Sequence, residues 1–113
     1  MKVQLGKYRK DGTCIDKVEI EPWDTWNLDT SLAKVIYPAL QKFRLKIGNV
    51  PPNLTMEEWE DTLDAMIATF RKYATGEIED DYVADSPREV KRRVAETAKG
   101  LMLFGKYYGY LWY

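Results

Sequence analysis

Two tryptophans stand three residues apart in a polar setting, within the segment Pro22-Trp23-Asp24-Thr25-Trp26-Asn27-Leu28-Asp29. Indole rings offer flat surfaces on which a base or another ring can stack, and Asp24 and Asp29 offer hydrogen-bond acceptors beside them. This combination predicts a ligand-binding surface. The alternative is structural, because the same rings could hold a preceding element against the core while the acids cap a helix.

A second aromatic cluster fills the C-terminal segment Leu103-Phe104-Gly105-Lys106-Tyr107-Tyr108-Gly109-Tyr110-Leu111-Trp112-Tyr113. Its aromatics occur on all sides of a predicted helix, so one face should remain uncovered by the core of a single copy. Gly105 and Gly109 would let another backbone or a flat ligand come close. Tyr107 and Tyr108 are therefore candidates for stacking on a ligand. The alternatives are a homo-oligomer seam and burial of the helix in the centre of the fold.

Candidate phosphate ligands lie near both aromatic segments in the sequence. They are Lys34, Arg92, Arg93 and Lys106. The net charge is +3 over residues 28–47 and +4 over 86–113, against −3 over 55–75 and −5 over 77–85. The basic stretches could converge on an anion site. Alternatively, they are solvated faces that neutralise the acidic stretches.

Residue types exclude most enzyme chemistry. The 113 residues include no histidine, which removes the usual general base and the commonest metal ligand. The single cysteine, Cys14, cannot form an internal disulfide, and no glycine-rich loop resembles a phosphate-binding motif. The acids between Glu77 and Asp81 lack the glycine and spacing of a calcium loop. We therefore expect no enzymatic activity, no metal and no cofactor.

The elements that must position these residues begin with a β-hairpin. Two stretches of alternating apolar residues, together spanning residues 3–20, flank Asp11-Gly12, which is a strong hairpin-turn signal. Gly6 is typical of a bulge. Because two strands are marginally stable alone in water, the hairpin is expected to pack on the rest of the chain.

Helical periodicity follows in three segments, predicted over about 29–46, 56–74 and 87–112. Pro38 lies inside the first and should kink it or shorten its first part, and either Asp24 or the pair Asp29 and Thr30 could cap it. Sequences typical of a capping box open the second and third helices, namely Thr55-Met56-Glu57-Glu58 and Ser86-Pro87-Arg88-Glu89. The prediction is a mainly helical α+β fold, in which an N-terminal hairpin packs on a three-helix unit within a single domain over residues 1–113.

Composition gives the broad setting. The net charge is −1, which argues against binding of extended nucleic acid. No apolar stretch is long enough for a signal peptide or a membrane span, so a cytoplasmic protein without a membrane partner is expected. The fifteen aromatic residues exceed what so small a core is expected to hide, which favours a partner or a second copy.

The two aromatic segments also carry a resemblance. The stretch from Pro22 to Ala33, with Ile36-Tyr37-Pro38-Ala39-Leu40 after it, resembles an uncharacterised family of small tailed-bacteriophage proteins. That family shares the Trp-Asp-Thr-Trp motif, a Trp-x-x-x-Leu-Asp-x-Met-Ile segment (matched from Trp59 to Ile67) and a Leu-Phe-Gly-Lys-Tyr-Tyr-x-x-Leu-Trp ending (matched from Leu103 to Trp112). The resemblance implies a phage accessory protein that acts in the cytoplasm of an infected bacterium, and it implies no particular reaction.

Two functions follow as hypotheses. In the first, the protein antagonises host defence by sequestering a nucleotide-type signal, with the tryptophans and tyrosines stacking on the base and the basic residues meeting phosphate. In the second, it is a protein–protein module that inhibits a host enzyme or assists phage assembly. Both are compatible with a homo-oligomer, for which the C-terminal helix is the favoured seam.

Overall fold

The computed structural model describes residues 1–8, 10–11 and 14–112. Strand β1 (Lys2–Tyr8) pairs antiparallel with strand β2 (Cys14–Glu19), with Val3 opposite Val18 and Leu5 opposite Asp16. The register shifts between Leu5 and Tyr8, which confirms the bulge predicted at Gly6. Lys10 and Asp11 lie in a turn, and Gly12 of the predicted Asp-Gly pair lies outside the described residues.

A single turn of 3-10 helix, Pro22–Thr25, leads from the hairpin into the first long helix; we call it the tryptophan turn. Helix α1 (Leu28–Leu45) contains Pro38 without a break. The predicted caps are wrong, because Asn27 occupies the capping position and its side chain makes no capping hydrogen bond. Asp24 instead closes the tryptophan turn, where its carboxylate accepts a hydrogen bond from the Glu21 backbone N–H at 2.8 Å.

Helix α2 (Met56–Thr75) begins with the predicted capping box. The Glu58 N–H donates to Thr55 Oγ1, and the Thr55 N–H donates to the Glu58 carboxylate. The helix ends at Gly76, whose φ of 85° lies in the left-handed region that glycine adopts without strain. The acidic connector that follows forms a second 3-10 segment, Glu77–Tyr82, here called the acidic turn.

Helix α3 (Pro87–Tyr107) differs from its prediction at both ends. Ser86 accepts a hydrogen bond from the Glu89 N–H, but the Glu89 carboxylate pairs with arginines of the same helix and does not complete a capping box. The helix also ends five residues early. A short 3-10 turn over Tyr108–Tyr110 replaces the predicted last helical turn.

Helix α2 lies between the other two helices and runs antiparallel to both. Arg44 near the end of α1 pairs with Glu60 and Asp64 near the start of α2. At Gly100 of α3 the backbones approach so closely that an added Cβ would lie 1.9 Å from Thr69 Oγ1 and 2.9 Å from the backbone oxygen of Ala65. The core therefore forms along α2, around Trp59, Leu63, Met66 and Phe70, with Ala33, Leu40 and Tyr107 from the flanking elements.

The three helices form a flat layer and not a closed bundle. Among the described residues, no Cα of α1 lies within 8 Å of a Cα of α3, and no Cα of the hairpin strands lies within 8 Å of any helix. The molecule measures 58 × 41 × 19 Å. The predicted mainly helical α+β fold is confirmed, and the flatness of the helical layer is the feature that the sequence did not predict.

Candidate functional site

Both tryptophans of the tryptophan turn are displayed to solvent. Trp23 is 59% exposed and Trp26 is 81% exposed, so neither ring serves as a clamp between the hairpin and the helices. A short 3-10 turn presents them because Pro22 starts it with a fixed φ and the Asp24 carboxylate accepts a hydrogen bond from the N–H of Glu21, the residue before it. The geometry thus does not support the structural alternative, in which the two rings hold a preceding element against the core.

The two acids of the motif differ in their surroundings. The N-terminal ammonium of Met1 lies 2.6 Å from Asp24 Oδ2, and this contact, together with the Glu21 N–H, lowers the pKa of the Asp24 carboxyl. Asp24 is therefore occupied as an acceptor and fastens the start of β1 to the tryptophan turn. Asp29, at the start of α1, is exposed.

The hairpin carries a second set of exposed apolar side chains. Val3 and Val18 are paired across the strands, and together with Leu5 and Ile20 they stay largely uncovered. A groove of about 540 Å³ separates this face from α1, with Met1, Val3, Leu5 and Asp24 on one wall and Ser31, Lys34, Val35 and Pro38 on the other. We define the tryptophan surface as the exposed side chains Val3, Leu5, Val18, Ile20, Trp23 and Trp26.

The four predicted phosphate ligands are dispersed. Lys34 lies across the groove from Asp24 and is the one of the four that accompanies the tryptophan surface. Arg92 and Arg93 stand on α3 beside the acidic turn, and Lys106 stands at the far end of α3. The fold therefore does not bring the basic stretches together at one anion site, contrary to the prediction.

Carboxylates already occupy both arginines. Arg92 bonds to Glu89 and lies 2.6 Å from Glu96, while Arg93 bonds to Glu89 at 3.2 Å and to the backbone oxygen of Asp80 at 3.0 Å. Their hydrogen bonds and positive charges lower the pKa of Glu89 to about 2. A phosphate would have to displace these partners, so the arginine pair is a neutralised cluster and not a vacant anion site.

Tyr107 belongs to the core. It is 5% exposed, its ring meets Trp59 edge-on with centroids 5.7 Å apart, and its hydroxyl accepts a hydrogen bond from Asn53 at 3.2 Å. The Lys106 ammonium lies 5.3 Å from the centroid of the same ring. Tyr108 is exposed on one side and packs against Phe104 on the other. Tyr107 thus has no ring face free for a ligand.

The two predicted aromatic motifs lie at opposite ends of the helical layer. Tyr107 is beside Asn53 and Trp59 at the start of α2, whereas the start of α1 approaches the end of α2, where burial raises the pKa of Tyr73 and the nearby Asp29 carboxylate adds to this. Helix α2 has 20 residues, which corresponds to roughly 30 Å. A single small ligand cannot contact both motifs.

Sequence reasoning missed one polar cluster that the fold buries. Asp81 of the acidic turn accepts hydrogen bonds from Lys72 Nζ at 2.9 Å and from Thr97 Oγ1 at 2.7 Å, and Lys72 also donates to Thr97 Oγ1 at 3.1 Å. Burial alone raises the pKa of the Asp81 carboxyl, but these hydrogen bonds and the charges of Lys72 and Arg93 outweigh it, and the net pKa is lowered. The cluster fastens the acidic turn to α2 and α3.

Wider searches of the molecule and of known proteins add little to this geometry. Within the described part of the chain, no group of three or more acidic or cysteine side chains is arranged to hold a metal ion, and no helix is both long and apolar enough to cross a membrane. Comparison with models of protein families, with curated proteins and with solved structures finds no match.

Proposed function

We propose that the chain is a non-enzymatic binding protein that docks on another protein through the tryptophan surface. The observation that carries the proposal is the exposure of Trp23 and Trp26, together with that of the aliphatic side chains of the hairpin. Large exposed aromatics next to aliphatic side chains are typical of interface centres, where tryptophan contributes more binding energy than most residues. The partner we propose is a protein that presents an apolar patch.

Charge favours this surface over the acidic one. On the acidic surface, Glu60 and Asp64 bond to Arg44, and Asp81 is buried with Lys72, so these three acids are engaged within the chain. The tryptophan surface, by contrast, consists of uncharged side chains. Its binding should therefore depend weakly on ionic strength.

The nucleotide hypothesis has less support. It needs cations close to the stacking rings, and Lys34 alone of the four predicted phosphate ligands lies beside the groove next to the tryptophan turn. The resemblance to small phage proteins keeps an infected bacterium as the setting of the proposal, and a bacterial host protein as the first partner to seek. Inhibition of a host enzyme and assistance in phage assembly are both compatible with such docking.

The test compares three forms of the purified chain as baits for host lysate: the wild type, W26A and W112A. Trp112 is a matched control, because it is 58% exposed and stands at the C-terminus, outside the tryptophan surface. We expect one protein to be retained by the wild type and by W112A, in low and high salt alike, and to be lost with W26A. With that partner purified, W26A should weaken affinity about 30-fold or more, as a residue at an interface centre does.

Two results would contradict the proposal. One is a partner that binds W26A as well as it binds the wild type, because docking would then use another surface. The other comes from native mass spectrometry with a panel of cyclic and linear nucleotides. A nucleotide that binds the wild type and is lost from W26A would identify the tryptophans as a small-molecule site.

A further inference from the structure

One side of the helical layer is an apolar trough, which the acidic turn borders at one end through Ile78 and Tyr82. Its floor is α2, with Phe70 and Tyr73, and its walls are α1 and α3, whose Cα atoms stay more than 8 Å apart. At the other end a pocket of about 290 Å³ lies between the two walls. It is bounded by Val35, Ile36, Ala39, Leu40 and Phe43 from α1, by Phe104 from α3, and by Leu111. We call this the α1–α3 trough.

Each wall is a regular helical stripe. On α1 the positions 28, 32, 35 and 39 recur at the spacing of one helix face and carry Leu, Leu, Val and Ala, all of them exposed. On α3 the positions 94, 101, 104 and 108 do the same with Val, Leu, Phe and Tyr. Such stripes normally face a neighbouring helix. Here Phe104 packs on Phe70 and Val94 borders the acidic turn, whereas Leu28, Leu32, Leu101 and Tyr108 are left 40–65% exposed.

The exposed area of the chain measures how much is left uncovered. A folded monomer of 13.2 kDa exposes about 6,400 Å² on average, whereas this chain exposes 8438 Å². Its radius of gyration is 16.6 Å, against about 13 Å for a compact domain of this length. The excess of roughly 2,000 Å² belongs to the whole chain, including the hairpin and the tryptophan turn, and it exceeds the about 800 Å² that each partner gives to a standard interface.

We infer that a second copy of the chain covers the α1–α3 trough, through a two-fold interface in which the two troughs face each other. The eight stripe positions carry no charged residue, and the nearest acid named by the structure is Asp29, which lies close to Tyr73 at one end of the floor. The bases of the same helices lie on other faces: Lys34 borders the hairpin groove, and Arg92 pairs with Glu89 and Glu96. Two stacked layers of 19 Å each would also be nearly as thick as one layer is wide, which is 41 Å. The dimer would therefore be a compact particle.

This interface is separate from the tryptophan surface, so the two proposals can fail independently. The seam also differs from the one expected from the sequence, because α1 and α2 contribute to it as well as the C-terminal helix. The matched variants come from the same helices. L32E and L101E place a carboxylate in each wall, whereas L45E and M102E place one on equally helical, more exposed positions outside the trough.

Sedimentation equilibrium of the full chain at about 1–100 µM, with circular dichroism as a check on folding, tests the inference. We expect the wild type, L45E and M102E to show twice the 13.2 kDa chain mass, and L32E and L101E to weaken association about 100-fold, because each interface would bury two carboxylates without partners. W26A should remain a dimer.

Three outcomes would overturn the inference: a wild type that is monomeric at 100 µM, equal weakening by L45E or M102E, or dissociation by W26A. The wild type also gives a readout that depends on no variant. On dilution below the dissociation constant, the methyl resonances of Leu32 and Leu101 should shift while those of Leu45 and Met102 stay in place. The reverse pattern would locate the contact elsewhere.

Discussion

The buried carboxylate of Asp81 allows the energetics of this fold to be tested at one residue. The Asp81 side chain is 3% exposed and receives hydrogen bonds from Lys72 and Thr97, which join the acidic turn to α2 and α3. In D81N the side-chain volume is kept and the negative charge is lost. The Lys72 ammonium then loses its counter-ion. The amide NH2 group, which can only donate hydrogen bonds, replaces one carboxylate oxygen that accepted a hydrogen bond from Lys72 or Thr97.

The magnitude follows from the geometry of the pair. A hydrogen bond to a charged group contributes about 1.5–3 kcal/mol, and breaking a fully buried ion pair costs about 3–5 kcal/mol. Lys72 keeps 22% of its side chain exposed, so water replaces part of the lost interaction. We therefore expect D81N to lower the free energy of unfolding by about 2 kcal/mol, which corresponds to roughly 8 °C in Tm for a domain of this size.

Urea and thermal unfolding at a fixed chain concentration measure this loss. D80N is the control, because Asp80 is the adjacent acid on the same turn and its side chain is exposed. Its effect should stay within about 0.5 kcal/mol. Since the pKa of Asp81 in the folded chain lies below the ordinary value of 3.8, its stabilisation is complete above the unfolded pKa and disappears as the pH falls through the folded pKa. The difference between wild type and D81N should therefore be full at pH 7 and shrink below about pH 4.

The reasoning would be refuted if D81N and D80N had the same stability at pH 7. It would also be refuted if the deficit of D81N persisted unchanged at pH 2, because a purely steric effect of the amide would not titrate. A double-mutant cycle with K72Q isolates the pair itself. A coupling energy near zero would mean that Thr97, and not the ion pair, holds the turn.

Two further predictions concern α3. G100A should destabilise the chain by about 2 kcal/mol, since the new Cβ collides with α2. At Gly105 no atom lies within 4 Å of an added Cβ, so G105A should stabilise the helix by about 0.5–1 kcal/mol. Chemical denaturation should therefore show opposite shifts of the midpoint for the two variants. In a carboxyl NMR titration, Glu89 should show a pKa of about 2 in the wild type and a clearly higher pKa in R92A, because Arg92 donates the main hydrogen bonds to the Glu89 carboxylate. An unchanged pKa in R92A would show that Arg92 and Glu89 are not paired in solution.

Local signals predicted most of the elements. The hairpin follows from alternation interrupted at Gly6, and the start of α2 follows from Thr55 and Glu58, because these features depend on residues within one turn of each other. The predicted cap of α1 was wrong because it depends on a contact between residues that are distant in the sequence. Asp24 is drawn to the Met1 ammonium, a partner that lies far away in the sequence.

The candidate site was less predictable, because exposure depends on which helices pack together. Trp26 and Tyr107 were both predicted to stack on a ligand, yet one is 81% exposed and the other 5%. The deciding fact is that α3 packs on α2 and leaves α1 apart, and periodicity alone does not specify which pairs of apolar stripes meet. Asp81 escaped notice in the same way, since nothing within an acidic stretch marks the one acid that a lysine nine residues away will bury.

The central position of α2 also determines how the protein can come apart. Since α1 and α3 each pack on α2 and not on each other, the hairpin and α1 can detach as a unit while α2, the acidic turn and α3 stay assembled through Asp81 and Gly100. Unfolding should therefore proceed in two cooperative steps, and native-state hydrogen exchange should protect the α2 amides around Leu63 and Met66 longest. In the cell, a protease would meet the N-terminal half first, and any partner or second copy that holds α1 in place would lengthen the life of the whole chain.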